Sequence, residues 1–150
     1  MAYKAQEIAE TVIDLSRKRN ISDLTNLKLQ KLVYYSQAWH LALKDRLLFS
    51  DAIEAWVHGP VVPCVFRMFK DYRWSVIDRP VNAVPDEGVI SHVTSVLDSY
   101  GKFGATQLER LTHREDPWIR ARIGVARDEP SNNVIQVEDM KRYYSSLLHA

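Results

Sequence analysis

The sequence has little sulfur, little glycine and almost no net charge. Its single cysteine, Cys64, has no partner for an internal disulfide, which fits a reducing compartment. Its five glycines form neither a Walker loop nor a dinucleotide fingerprint, so no phosphate cradle is expected. A formal net charge of +1 sets up no global field toward nucleic acid or an acidic membrane. No apolar run approaches bilayer length. Ala2 to Glu7 contain no apolar h-region, so no secretory leader is expected. The histidines, His40, His58, His92, His113 and His149, are scattered, with no His-x-x-x-His pair and no HExxH motif. These absences lead us to expect a soluble cytoplasmic protein with no membrane segment, no metal and no cofactor.

The residues that are present suit a globular domain. Hydrophobic residues make up 46% of the 150 and charged ones 26%. A chain of this length buries roughly two-thirds of its unfolded surface and needs no staple. No repeat, low-complexity stretch or long linker divides it, so residues 1–150 are read as one domain. Four tryptophans and seven tyrosines are enough to fill a core and to leave some aromatics for an interface.

Periodicity predicts a mainly α, single-domain bundle of about six or seven helices. Ala5, Ile8, Ala9, Val12 and Leu15 mark a first helix over 3–18, closed by Arg17-Lys18-Arg19. Thr25 or Asn26 caps a second helix to about Leu43, with Leu29, Leu32, Val33, Ser36, Trp39, His40 and Leu43 on one face. Tyr34, Tyr35 and Gln37 widen its apolar band, which marks it as the central helix. Around residues 47–57 the period changes to two, giving a short β-hairpin or extended segment. Gly59-Pro60 then breaks the run, and Pro63 opens a helix burying Val65, Phe66, Phe69 and Tyr72. Residues 74–85 read as a loop. Asp86 caps a helix over 87–100, stopped by Gly101 in the position helices favour for glycine. Gly104 opens a short helix carrying Leu108 and Leu111, and Asp116-Pro117 opens another to about Gly124. After a turn-rich stretch, a last helix carries Val137, Met140, Tyr144, Leu147 and Leu148.

Few residues suggest chemistry. A thiol nucleophile would be Cys64 with His58 or His113 as base, but a packed helix start suits an inert thiol better. Arg110, Arg114, Arg120, Arg122 and Arg127 give the last third a basic tint. Arg120 and Arg122 point about 200° apart on a helix, and Glu109, Glu115 and Asp116 are interspersed, so direct nucleic-acid binding is not expected.

Three segments are more specific than their composition. The first is Leu27-Lys28-Leu29-Gln30-Lys31-Leu32-Val33-Tyr34-Tyr35-Ser36-Gln37-Ala38-Trp39-His40. The second runs from Phe49 through Ile53-Glu54-Ala55-Trp56-Val57-His58-Gly59-Pro60-Val61-Val62-Pro63. The third joins Tyr100-Gly101, Leu108 through Leu111-Thr112-His113, Pro117-Trp118 and Ala121-Arg122. In this order the chain resembles the Panacea domain family, also met as prophage-borne GepA-like and SocA-like proteins.

The resemblance implies a mainly helical, non-enzymatic antitoxin of a bacterial or prophage toxin–antitoxin system, encoded beside a protein toxin that it neutralises by direct binding. It also implies a second reading, an adaptor that delivers the bound toxin to a protease. A third reading, an enzyme or small-molecule sensor, would use the His58 and His113 turns. The candidate motif or partner-binding residues are Trp39, Trp56, His58, Gly59, Pro60, Val61, His113, Pro117, Trp118 and Arg122. In His58-Gly59-Pro60-Val61, glycine and proline have a sufficient backbone explanation as a sharp redirection of the chain. Because the family pairs with unrelated toxins, partner specificity is expected on exposed segments, with 74–85 and 127–133 as candidates.

Overall fold

A computed structural model describes residues 2–149, and among them are seven helices and a two-stranded hairpin. The helix α2 (Asn26–Lys44) is the axis of the molecule. It is buried on nearly every side from Asn26 to Ala38, its polar residues Asn26, Lys28, Gln30, Lys31, Ser36 and Gln37 included. Its N-terminus is capped by Thr25, whose hydroxyl accepts from the Lys28 N–H at 3.3 Å. Around it pack α1 (Ala5–Lys18), α4 (Glu87–Tyr100), α5 (Ala105–His113) and, most extensively, α7 (Val137–Leu148). The remaining helices are α3 (Pro63–Phe69), continued by a 3-10 turn at Lys70–Tyr72, and the short α6 (Asp116–Ala121).

Polar residues of α2 hold the irregular chain around it. Gln37 donates to the Phe49 carbonyl at 2.6 Å and accepts from the Leu48 N–H at 2.7 Å. Gln30 accepts from the Val62 N–H at 2.9 Å and donates to Asn26, which in turn donates to the Phe66 carbonyl. Lys28 is buried, with its ammonium on Asp23 at 2.6 Å and on the Gly101 carbonyl at 2.8 Å. These groups lie where periodicity alone would place solvent, and each satisfies backbone polar atoms that burial would otherwise orphan.

The hairpin pairs β1 (Glu54–Trp56) with β2 (Gly59–Val61) in antiparallel register, Ala55 opposite Pro60. Its second strand lies beyond the expected extended run. Gly59 and Pro60 do not end the strand structure. Gly59 supplies the positive φ of 105° that leaves the turn at Val57-His58, and Pro60 sits in an edge strand, where its missing N–H costs no ladder bond. The other edge of β1 is met by residues 133–135, through Ala55 N–H to Asn133 O and Ile135 N–H to Ile53 O, both 2.8 Å.

Other boundaries shift for local reasons. The first helix starts at Ala5 because Tyr3 bridges to Phe49 as extended chain. Gly101 ends α4 at φ −62°, so left-handed freedom is not what it provides. It provides space: an added Cβ would lie 2.6 Å from the Leu97 carbonyl oxygen and 2.9 Å from the Ile21 methyl. The helix at Asp116-Pro117 stops at Ala121, and Gly124, at φ 85°, belongs to the following turn. Leu43, Leu147 and Leu148 are exposed rather than inward, and of the α7 stripe only Met140 and Tyr144 are buried.

Candidate functional site

The hairpin and the α5–α6 corner meet, and this junction gathers nine of the ten candidate residues. The Trp118 indole donates to the Trp56 carbonyl at 2.8 Å. Arg122, buried to 4% exposure, donates to the Ala55 carbonyl at 2.8 Å and to the carbonyls of Ala126 and Glu129. Its guanidinium lies over the Trp118 ring, 5.0 Å from the centroid. The His113 ring stacks on the Trp118 ring, with centroids 4.1 Å apart. Pro117 is buried in the first turn of α6. Gly59, Pro60 and Val61 are all buried, and an added Cβ on Gly59 would lie 2.7 Å from the Lys31 Cε and 2.9 Å from the Thr112 hydroxyl. These contacts latch the hairpin to the helices. Trp39 stands apart: its indole donates to the Tyr100 hydroxyl at 2.8 Å and it packs against Tyr144.

Two titratable groups sit inside this junction. Lys31 is fully buried, and its ammonium reaches only the Pro60 carbonyl, at 3.4 Å. Burial lowers its pKa to about 7 against the opposing pull of Glu109. Burial also lowers the pKa of His113, against the opposing pulls of Glu109 and the Val57 carbonyl, and its Nε2 is buried without a partner. His58 is exposed, with Nδ1 3.2 Å from a Glu109 carboxylate oxygen. Cys64 faces Asp51 at 3.4 Å, and burial together with that carboxylate raises its pKa, the reverse of what an activated thiol needs. Among the described residues no three His, Cys, Asp or Glu side chains converge to hold a metal ion, and no helix is long and apolar enough to cross a membrane. The arginines expected to tint the C-terminal third form no stripe, because Arg122 is buried and Arg120 is bound to Asp139 and Asp116 on the α6–α7 surface.

Beside the junction lies an open groove of about 1600 Å3. The hairpin lines it with Trp56, His58 and the edge of the buried Val61, and α3 with its 3-10 turn lines it with Pro63, Phe66, Arg67 and Lys70. The start of α2 and the first turn of α5 close the ends, and Pro130 to Asn132 overhang it. Of the two segments expected to vary with partner, the groove takes Trp74 from the first and Pro130 to Asn132 from the second. Trp74 points into solvent at 84% exposure, whereas Ile77 to Val84 run along α1, held by Arg17 and Thr11. Phe66, Arg67, Lys70 and Arg73 also line the groove and were not legible as site residues. A signal for them exists in the three-residue spacing of the cations, but it marks a site only when the facing hairpin is known.

The segments that form this site coincide with a recognised family. The chain matches the family described as Antitoxin SocA-like, Panacea domain, over residues 29–119, from α2 through most of α6. A curated relative, "Antitoxin SocA" of Caulobacter vibrioides (strain NA1000 / CB15N), is 30% identical over 128 residues, covering 76% of this chain and 68% of the relative. No solved structure gives a significant match. The match to the family spans more than half of the chain, the relative supports it over a wider stretch, and the chain belongs to the SocA-like Panacea domain family of antitoxins.

Proposed function

We propose that the protein is a non-enzymatic antitoxin that neutralises a cognate protein toxin in the cytoplasm by binding it directly, with residues 1–150 acting as one Panacea-like domain. The family supports an antitoxin role. The observation that carries the binding reading is the groove beside the family's own motifs, large, open and rimmed by an exposed tryptophan. Tryptophan and arginine are the residue types in which interface energy concentrates once a partner covers them. The histidine turns favour a structural part over a catalytic one: His113 is stacked and half-buried, and His58 is spent on Glu109.

The test is co-expression with the product of the adjacent gene. Growth arrest by that product alone, relieved by this chain and accompanied by a stable complex on copurification, is the expected result. Relief that disappears in a protease-null host would instead assign the adaptor route. A harmless neighbour, or relief without any complex, would overturn direct neutralisation.

A further inference from the structure

The groove carries charge that the fold leaves unspent. Arg67, Lys70 and Arg73 follow at three-residue steps along α3 and its 3-10 turn, and all three line the groove. All are exposed, and among the described residues none of them takes part in an ion pair. The acids in the lining are already engaged. Glu54 accepts from the Trp56 indole at 2.8 Å, and Glu109 faces His58 at 3.2 Å with the buried Lys31 behind it. Three cations against two acids leave the formal charge of the lining positive, with the cations together on α3 and its turn.

The apolar part is equally one-sided. Trp56 and Phe66 pack edge to face at 5.1 Å, and the exposed Trp74 lines the same groove. Trp74 is presented by a tight turn closed by Ser75 N–H to Tyr72 O at 2.8 Å. Its preceding residue, Arg73, is held at φ 54°, ψ −113°, a region that favours glycine. Strain of this kind persists where the surrounding structure enforces it, often at binding sites. Here it keeps a cation and an indole side by side at the rim.

We propose that this groove receives an acidic segment of the partner protein, with an aliphatic or aromatic anchor between Trp56, Phe66 and Trp74 and carboxylates on Arg67, Lys70 and Arg73. This rests on the toxin-binding reading above and gives it a surface. Charge complementarity selects the occupant: three free cations stand together on α3 and its turn and outnumber the two acids of the lining, so that side favours an acidic segment over a basic one. A single nucleic-acid strand also uses aromatics and cations. It is disfavoured because the cations are confined to one short stretch, Arg67 to Arg73, and a chain of net charge +1 offers no extended basic track for a phosphate backbone.

The test uses the full chain, the triple variant R67E/K70E/R73E and the variant W74A, each checked for an unchanged melt. The probes are a fluorescein-labelled amphipathic peptide of Glu, Leu and Trp, the same peptide with Lys for each Glu, and labelled oligo-dT. Fluorescence anisotropy should show the acidic peptide binding at least about tenfold more tightly than its basic counterpart. The triple variant should abolish that preference and W74A should weaken binding several-fold. Equal binding of the two peptides, an unaffected triple variant, tighter binding of oligo-dT, or a Trp74-dependent dimer on sedimentation would each overturn the assignment. The adjacent gene's product separates the two levels. If it binds the unaltered chain and the triple variant alike, the groove is wrong and the antitoxin reading stands. If it binds neither while the acidic peptide behaves as expected, the toxin reading fails and the groove's preference stands.

Discussion

At the scale of single residues, Gly59 is the position least open to substitution, for two independent reasons. Its φ of 105° lies in a region that L side chains rarely adopt, and the space a Cβ would need is taken by Lys31 and Thr112. Neither neighbour yields easily, since Lys31 and Thr112 are both fully buried. Gly59→Ala should therefore cost about 1–3 kcal/mol from backbone strain, with the clash in addition. Thermal unfolding of the purified variant reads this directly, and a melting temperature equal to the parent's would refute it. The glycine was legible as a turn residue from its neighbour Pro60. Its second reason was not, because Lys31 lies 28 positions earlier in the chain and on a helix whose polar residues look solvent-bound.

At the scale of elements, the docking of α7 on α2 depends on a buried carboxylate. Glu115 precedes α6 as its N-cap residue, yet its side chain turns inward, where Tyr35 donates to it at 2.7 Å and Tyr144 at 2.8 Å. Tyr144 also meets the Tyr34 hydroxyl at 3.0 Å, and Tyr35 stacks on Tyr100 at 4.0 Å. Burial raises the pKa of Glu115, and the two tyrosine donors oppose that shift. Tyr144→Phe removes one donor from a buried acid and should cost about 1.5–3 kcal/mol, whereas Tyr143→Phe, at a half-buried site on the same helix, should stay within about 0.5 kcal/mol. Urea denaturation of both variants checks the contrast; similar midpoints would show that the network contributes nothing to docking. The helices themselves were legible: Asp86 caps α4 by accepting from Gly88 and Val89, and Thr25 caps α2, as their residue types predict. The network was not, since Tyr34, Tyr35, Glu115 and Tyr144 come from three distant segments and no local period links them. The groove failed to show for the same reason. Of the ten residues singled out by motif, Trp56, His58 and Val61 line it, while Gly59, Pro60, His113, Pro117, Trp118 and Arg122 shape the ground beneath and Trp39 serves another contact.

At the scale of the whole molecule, one buried amine ties stability to pH through the base of the groove. Lys31 sits behind the hairpin, with Glu109 and His113 as its titratable neighbours, His58 on the Glu109 carboxylate, and one long hydrogen bond to Pro60. Its pKa is lowered by burial to about 7 in the folded chain, against the ordinary lysine value of about 10.4 in the unfolded one. Between those values the unfolded chain holds a proton that the folded chain has released, so this group makes stability rise with pH. Below about pH 7 both states are charged and the destabilising contribution is present in full; it is relieved as pH rises through the window toward the unfolded value. Lys31→Met keeps much of the side-chain volume and removes the charge. The variant should be more stable than the parent by about 1–3 kcal/mol near pH 6, an advantage that shrinks toward zero near pH 10. Comparing the two proteins at each pH cancels the titrations they share, so urea midpoints at both ends isolate Lys31. A constant difference between parent and variant would place the amine in water or in a full ion pair with Glu109. A shrinking one would establish that an uncompensated charge is held under the hairpin, at a cost the fold carries to keep Gly59 and Pro60 seated against α2.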